Sequence, residues 1–168
     1  LDVGGSTFRV ALVELCGKHE EWEKSMRIVN IKSYRIDNAV RALKGHGFFD
    51  WMAERIAEVL EDAEMRTLNR EKVLPMGMAW SFPVEYGRCL TARGGWHADE
   101  SQGDIYTQWP LLDMGKGFNA TIGVLGKDLG ELVMRACRAK VCNHFPSCER
   151  SYTDTIRQNL NVRLDAIV

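Results

Sequence analysis

The sequence predicts an α/β fold, in which a mixed sheet is flanked by helices. Short runs of β-branched and apolar residues, each bounded by glycine, proline or charged segments, are typical of buried strands. Two other segments carry apolar residues at spacings of three and four, which is typical of amphipathic helices. The 168 residues, 45% of them hydrophobic, are enough for one ordinary domain or for part of a larger one.

The first three strands are predicted near the amino terminus. Residues 7–16 are rich in β-branched and apolar types and follow the end of an earlier strand at residues 1–3. The segment Gly4-Gly5-Ser6-Thr7 between them is typical of a tight hairpin connection. Apolar and polar residues roughly alternate over residues 26–36, after a charged turn at residues 17–24. We therefore expect a three-stranded meander as the simplest assembly.

Two amphipathic helices are predicted in the later part of the chain. The first runs from residue 48 to about residue 65 and is expected to lay its apolar stripe on the sheet. The second follows Asp128, whose carboxylate is a candidate N-cap. The apolar stripes consist of Phe49, Met52, Ile56, Val59, Leu60 and Ala63 in the first helix, and of Leu129, Leu132, Val133 and Ala136 in the second.

Two further strands are predicted beyond the meander. Residues 73–82 form a run that Pro83 ends, because proline has no amide hydrogen to donate to a ladder. Ser81 then lies at the carboxyl end of a strand, where α/β proteins commonly bind ligands. Residues 162–168 largely alternate and predict a last strand. Since a strand edge is normally paired or covered, and the chain also begins in a strand, we expect both ends to be cut.

Charge and cysteine content exclude several classes of protein. The 22 Lys and Arg residues nearly balance the 23 Asp and Glu residues, for a net charge of −1, which argues against a nucleic-acid-binding surface. The sequence has no uninterrupted run of about 18 apolar residues, so no membrane-spanning helix is expected. Five cysteines, an odd number, fit reduced thiols better than a disulfide framework. We therefore expect a cytoplasmic protein.

Residues 2–10, D-V-G-G-S-T-F-R-V, carry the clearest chemical signal. Two adjacent glycines let backbone amides approach an anion, and the hydroxyls of Ser6 and Thr7 can donate to phosphate oxygens. Arg9 offers a planar donor fork, and Asp2 is suited to hold a hydrated magnesium ion. An ordinary hairpin turn with a salt-bridged arginine explains the same residue types equally well. Residue types alone leave both interpretations open.

That segment and three later ones, taken in order, resemble the hexokinase family, whose usual first phosphate motif is D-[LIV]-G-G-T-N-[FL]-R-V. The later matches are F-D-W-M-A at residues 49–53, L-P-M-G-M-A-W-S-F-P-V-E at residues 74–85 and M-G-K-G-F at residues 114–118. Residues 164–168 look like the strand that precedes the family's catalytic Asn-Asp pair. The resemblance implies that residues 1–168 are an incomplete amino-terminal, smaller lobe of the actin-like, ribonuclease-H-like ATPase fold.

The resemblance implies phosphoryl transfer from MgATP to a hexose such as glucose, with ATP and Mg²⁺ as cofactors. The phosphate-binding residues that it implies are Asp2, Gly4, Gly5, Ser6 and Thr7, with Arg9 supporting the turn or the transferred charge. The sugar-binding residues that it implies are Ser81, Phe82, Gly115 and Lys116. No catalytic residue is expected within the chain, because the family's proton-accepting Asp would lie beyond Val168.

Departures from the family pattern leave an alternative open. Ser6 and Thr7 stand where Thr and Asn are usual, and Gly115 stands where most active members have Thr. Losing that sugar-binding hydroxyl typically weakens recognition by about one to two powers of ten. The segment M-G-K-G-F at residues 114–118 is similar to that of atypical fungal hexokinase-like proteins. The alternative is therefore a catalytically impaired sugar sensor or regulatory protein. Residues 86–110 and 141–160 exceed the family pattern and are expected to be insertions or loops.

A zinc site is a weaker interpretation of one cysteine cluster. Cys137, Cys142, His144 and Cys148 form C-x4-C-x-H-x3-C, which offers four potential ligands. The spacing differs from that of a common zinc finger, and Cys137 is expected to lie in the second helix. We therefore assign no metal site to these residues.

Overall fold

The computed structural model of the chain describes residues 1–17, 25–60, 74–85, 88–90, 106–143 and 162–167. Within these residues, a five-stranded mixed sheet and a separate two-stranded ribbon accompany the helices. The elements are, in chain order, β1 (Asp2–Val3), β2 (Thr7–Leu15), β3 (Met26–Arg35), α1 (Asn38–Arg41), α2 (His46–Leu60), β4 (Leu74–Trp80), β5 (Arg88–Leu90), β6 (Tyr106–Gln108), α3 (Leu129–Asn143) and β7 (Val162–Ile167).

The antiparallel half of the sheet is the predicted meander. β2 pairs with both β1 and β3, and the strand order across the sheet is β3-β2-β1-β4-β7. The first hairpin is closed by a hydrogen bond of 2.9 Å from the Gly4 amide to the Thr7 carbonyl. All three predicted strands are confirmed, whereas most of the predicted charged turn lies at residues 18–24, outside the described residues.

The other half of the sheet is parallel and contains the two later strands that the sequence predicts. β4 pairs with β1, with Trp80 opposite Val3, and β7 pairs with β4, with Ile167 opposite Met78. The two-residue strand β1 therefore joins the antiparallel and parallel halves. Because β1, β4 and β7 run in one direction, their carboxyl ends meet at the same edge of the sheet.

Both long helices contribute to one core on one face of the sheet. α2 contacts β2 and β3, whereas α3 contacts α2 and β7. Alternate side chains of β4 are buried (Met76, Met78 and Trp80), while those between them are exposed. On the β2–β3 hairpin the face turned away from the core carries five exposed apolar residues, namely Val13, Leu15, Met26, Ile28 and Ile31. The mixed sheet with flanking helices is thus confirmed, with the described long helices packed together.

The helix ends follow from local hydrogen bonding. The predicted cap of α3 is confirmed, because Asp128 Oδ1 accepts a hydrogen bond of 2.7 Å from the amide of Glu131. The short helix α1 is not among the predicted elements, since four residues are too few to show a helical period. Asp37 caps it by accepting a 3.0 Å hydrogen bond from the Val40 amide. The predicted continuation of α2 beyond Leu60 lies outside the described residues.

An aromatic cluster links α2 to the loop before α3. The ring of Phe48 is fully buried, and its centroid lies 5.8 Å from that of Phe118 and 6.1 Å from that of Trp51. The Trp51 ring in turn lies 5.7 Å from that of Phe8 on β2. Edge-to-face and offset contacts of this kind add to the stabilisation from apolar burial. Phe118 is therefore anchored in the core although it belongs to a loop.

Two stretches that the sequence predicts as insertions or loops contain regular structure at their ends. Residues 86–110 include the antiparallel ribbon of β5 and β6, whose three-residue strands are too short to leave an alternating pattern in the sequence. The stretch at 141–160 begins within α3, because the good helix formers Ala139 and Lys140 favour continuation of the helix, which ends at Asn143. Residues 91–105 and 144–161, including His144 and Cys148, lie outside the described residues. None of the described helices combines the length and apolar character needed to cross a membrane.

Candidate functional site

Three segments meet at the edge of the sheet where β1 and β4 end. They are residues 4–7, the glycine turn between β1 and β2; Ser81 and Phe82, directly after β4; and residues 113–118, which we call the lysine loop. The Ser81 amide donates a 3.0 Å hydrogen bond to the Val3 carbonyl, which fixes the end of β4 beside the start of the glycine turn. The residues predicted to bind phosphate and those predicted to bind sugar therefore meet at one edge.

The side chain of Lys116 lies beside the glycine turn. A Cβ added to Gly5 would lie 3.9 Å from Cδ of Lys116, an ordinary van der Waals distance. The ammonium nitrogen of Lys116 lies 6.0 Å from the ring centroid of Phe82, at the outer range of a cation–π contact. Lys116 thus lies between the two other segments.

The glycine turn keeps two backbone amides available to a ligand. The Gly4 amide is used by the hairpin, and a Cβ added to Gly4 would lie only 3.3 Å from the Thr7 carbonyl oxygen. The carbonyls of Gly5 and Ser6 are also occupied, because they accept hydrogen bonds from Arg41 Nη2 and from the Ile36 amide, each of 2.8 Å. Among the described residues, no group accepts a hydrogen bond from the amides of Gly5 and Ser6. Such unpaired amides in a turn are suited to bind an anion.

Asp2 and Arg9 form an ion pair across the first two strands. They are directly opposed in the register, and Arg9 Nη1 lies 2.7 Å from Asp2 Oδ2. Roughly half of each side chain is exposed, namely 44% for Asp2 and 53% for Arg9. Of the interpretations that the sequence leaves open, the salt-bridged arginine is thus present in the structure. The described residues contain no cluster of three metal-binding side chains, so a Mg²⁺ ion at this turn would need phosphate oxygens and water as further ligands.

Ser81 and Phe82 differ in what they offer a ligand. Ser81 is exposed at the end of β4, with its hydroxyl free of any described protein partner. Phe82 is only 6% exposed, and its ring centroid lies 5.0 Å from that of Phe118 and 5.3 Å from that of Trp80. Phe82 therefore mainly packs the core beneath the site, whereas Ser81 offers a donor and an acceptor at its surface.

Three successive residues of the lysine loop have left-handed backbone conformations. The φ angles are +60° at Gly115, +51° at Lys116 and +79° at Gly117, and Lys116 is the one described non-glycine residue with positive φ. The turn is closed by a 2.9 Å hydrogen bond from the Phe118 amide to the Gly115 carbonyl. A left-handed conformation costs a residue with a side chain about 1–2 kcal/mol, which the surrounding contacts must offset. The backbone of Lys116 is therefore held in a strained conformation at the site.

Arg41, at the end of α1, is a site residue that the sequence analysis misses. Its guanidinium contacts Gly5, and it lies over the ring of Phe118 with its Cζ 5.4 Å from the centroid. Nothing in the local sequence distinguishes this arginine from a solvent-exposed one, because α1 shows no helical period. Only its contacts in the folded chain distinguish Arg41 from an exposed arginine.

The family-wide sequence model described as "Hexokinase" matches residues 1–93, which include the glycine turn and the end of β4. The chain belongs to the hexokinase family. The match confirms the family that the ordered motifs indicate, and it covers more than half of the chain.

Individual hexokinase-family relatives align with smaller parts of their own sequences. The chain is 33% identical over 87 residues to N-acetylglucosamine kinase 1 of Candida albicans, covering 51% of this chain and 17% of that protein. It is 32% identical over 137 residues to hexokinase-2 of Equus caballus, covering 81% of this chain and 12% of that protein. The chain therefore spans less than a fifth of the length of either relative.

A solved hexokinase structure supports the fold. The hexokinase from Schistosoma mansoni, complexed with glucose, superposes with a TM-score of 0.58 at 24% identity, covering 97% of this chain and 27% of that chain. This likeness, together with the mixed sheet and its helices, confirms the predicted actin-like ATPase fold class.

Proposed function

We propose that the full-length protein containing this chain transfers a phosphoryl group from MgATP to a hexose such as glucose. The observation that carries the proposal is the proximity of Gly5 and Lys116, since a Cβ built on Gly5 would lie 3.9 Å from Cδ of Lys116. This proximity puts a turn that is suited to bind an anion beside the loop that the family resemblance implies binds sugar. Membership of the hexokinase family and the sugar-kinase relatives support the reaction class.

The glycine turn is suited to hold the phosphates. The unpaired amides of Gly5 and Ser6 and the exposed hydroxyl of Ser6 are neutral donors, which bind phosphate oxygens without adding charge. The Arg9–Asp2 pair braces the two strands on either side of the turn, and Arg9 adds positive charge near the phosphates. Asp2, in β1 just before this turn, is the residue that would help to hold a Mg²⁺ ion bound with ATP, and the ion would supply positive charge against the charge that develops during transfer.

The hexose is proposed to lie between Ser81 and Lys116. The Ser81 hydroxyl both donates and accepts, and the Lys116 ammonium donates, so together they match sugar hydroxyls in fixed directions. Gly115 and Phe82 take part differently: Gly115 allows the loop conformation, and Phe82 supports Lys116 from the core. A shared site orients the acceptor hydroxyl toward the phosphates, and such positioning supplies much of the catalysis in phosphoryl transfer.

The proton acceptor of the reaction is proposed to follow β7. Because β7 runs parallel to β4, with Ile167 opposite Met78, the chain after β7 leaves the sheet at the edge where Ser81 lies. An Asp shortly after Val168 would therefore lie beside the sugar site. This is where the family resemblance puts the catalytic Asn-Asp pair.

A catalytically impaired sugar sensor is the second candidate, and Gly115 favours it. The family's usual Thr at this position supplies a sugar-binding hydroxyl that glycine lacks. The φ of +60° at Gly115 is also unfavourable for a β-branched residue, so this loop is adapted to glycine. A sensor would bind the hexose but turn it over slowly or not at all.

A coupled assay of ADP production by the full-length protein tests the proposal, with glucose and N-acetylglucosamine as acceptors. We expect turnover that Lys116→Met lowers at least tenfold, while Lys44→Met, which removes an exposed lysine outside the site, leaves it unchanged. Hexose binding by calorimetry without ADP production would support the sensor instead. Neither binding nor turnover of any hexose would contradict both candidates.

A further inference from the structure

We infer that Arg41 is a positioning residue that ties the glycine turn to the lysine loop and thereby aims the phosphate-binding amides. The inference rests on the proposed function, because it assigns those two segments to the two substrates. Arg41 comes from α1, outside both segments, and contacts each of them with a different atom.

Three contacts define the role of Arg41. Its Nη2 donates a 2.8 Å hydrogen bond to the Gly5 carbonyl. Its Cζ lies 5.4 Å from the ring centroid of Phe118, at the end of the lysine loop. Its own carbonyl accepts a 2.8 Å hydrogen bond from the amide of Asn119, the next residue along. One residue thus holds both segments through its side chain and its backbone.

The side chain is committed to these contacts. Arg41 is half-buried, and its Nε is buried without a hydrogen-bond partner. Burying an unpaired donor is unfavourable, so the other contacts of the guanidinium, with Gly5 and Phe118, must offset that cost. Asp37 caps α1 at the Val40 amide, so the backbone that carries Arg41 is also held. A hydrogen bond from a charged donor is stronger than one between neutral groups, which suits Arg41 to hold the glycine turn.

The bond to Gly5 determines the direction of a ligand-binding amide. The Gly5 carbonyl and the Ser6 amide belong to one planar trans peptide, so the C=O and N–H point in opposite directions. Holding the carbonyl toward Arg41 therefore turns the Ser6 N–H away from Arg41. In the same way, the bond from the Ile36 amide to the Ser6 carbonyl fixes the next peptide plane. Without Arg41 the Gly5–Ser6 peptide is free to rotate, because glycine allows it.

Steady-state kinetics of the full-length protein test the role of Arg41. Arg41→Met keeps an apolar stem against Phe118 but removes the donor, whereas Arg41→Lys keeps a donor. The matched control is Arg138→Met, which removes an exposed arginine of α3. We expect Arg41→Met to raise the KM for MgATP about tenfold or more, with partial rescue by Arg41→Lys and no change in Arg138→Met. A lower melting temperature with unchanged KM values would mean a merely structural role and would overturn the inference.

Amide hydrogen exchange tests the same inference without any turnover. In Arg41→Met we expect several-fold faster exchange at the amides of Gly4 and Ile36, whose hydrogen bonds to the carbonyls of Thr7 and Ser6 hold the glycine turn, while α2 and α3 keep wild-type exchange. Unchanged exchange at both of these amides would overturn the inference even if the protein phosphorylates no hexose. Conversely, an active wild type with an equally active Arg41→Met variant would leave the proposed function intact and refute the positioning role.

Discussion

Cδ of Lys116 lies 3.9 Å from the position that a Cβ on Gly5 would take. The two residues belong to segments far apart in the sequence, yet the side chain of Lys116 extends to the space beside Gly5. The space beside Gly5 therefore has a limit that Lys116 sets. A small side chain fits there, whereas a branched one displaces Lys116.

Substitution of Gly5 tests this contact. Gly5→Ala should be tolerated, with a change in unfolding free energy below about 1 kcal/mol, since its Cβ makes only an ordinary contact. Gly5→Val should instead raise the KM for the hexose, because the larger side chain moves the Lys116 ammonium. Denaturation curves and hexose titrations of both variants measure the two effects. Equal KM values for the two variants would show that Lys116 does not depend on the space above Gly5.

Gly115→Thr introduces the side chain that most active family members have at this place. The added Cβ would meet no atom within 4 Å, but the φ of +60° is unfavourable for a β-branched residue. We expect a loss of stability of about 1–2 kcal/mol, and a much smaller loss for Gly115→Asn, because asparagine tolerates this conformation. Thermal denaturation of both variants checks the difference. If threonine costs no more than asparagine, the loop adopts another backbone conformation.

Substitutions at the adjacent residues Ser81 and Phe82 should have different effects. Ser81 is exposed, so Ser81→Ala should leave stability nearly unchanged and weaken hexose binding about tenfold. Phe82 is 6% exposed, so Phe82→Ala should lower the unfolding free energy by about 3–5 kcal/mol through the cavity it leaves. Calorimetry with the hexose measures the effect on binding, and chemical denaturation measures the effect on the unfolding free energy. A stable Phe82→Ala variant with lost hexose binding would instead make Phe82 a direct sugar contact.

The Asp2–Arg9 pair should contribute little to stability. Both side chains are about half exposed at a separation of 2.7 Å, and exposed ion pairs contribute about 0–1 kcal/mol. A double-mutant cycle with Asp2→Asn and Arg9→Met should therefore give a small coupling energy in denaturation experiments. The KM for MgATP should nevertheless rise in Arg9→Met. A coupling energy above about 2 kcal/mol would show that the pair is a structural requirement of the sheet.

Cys137 should make the protein less stable at alkaline pH. Burial raises the pKa of its thiol to about 11, from an ordinary value of 9.0. The unfolded thiol ionises at the lower pH, so its contribution to stability is complete below about pH 9 and is lost as the pH rises toward 11. Denaturation across this pH range under reducing conditions should show the fall in stability in wild type and a shallower fall in Cys137→Ala. An identical pH dependence of stability in both proteins would refute the role of the Cys137 thiol.

The parts of the site that the sequence predicts are those with local signals. The glycine pair marks the first turn, and Pro83 marks the end of β4, which correctly puts Ser81 at the edge of the sheet. The cap at Asp128 is similarly local, since the side chain bonds an amide three residues ahead. In each case the determining interaction lies within a few residues of the signal.

The parts that sequence reasoning misses depend on contacts between distant segments. Arg41 has no distinctive neighbours, and only the folded chain brings its guanidinium to Gly5. The ribbon of β5 and β6 is missed because strands of three residues gain their stability from pairing, not from their own pattern. The strained backbone of Lys116 is also not readable from residue types, because surrounding contacts impose it.

The position of β1 between β2 and β4 has a consequence for the order in which the molecule forms. The hairpin can close as soon as its two strands exist, whereas the pairing of Val3 with Trp80 requires closure of a long loop, which is slow. During synthesis, a nascent chain that has not reached Trp80 can therefore form the glycine turn but cannot yet bring Ser81 beside it. The candidate site is thus expected to be complete only late, after the hairpin has already folded.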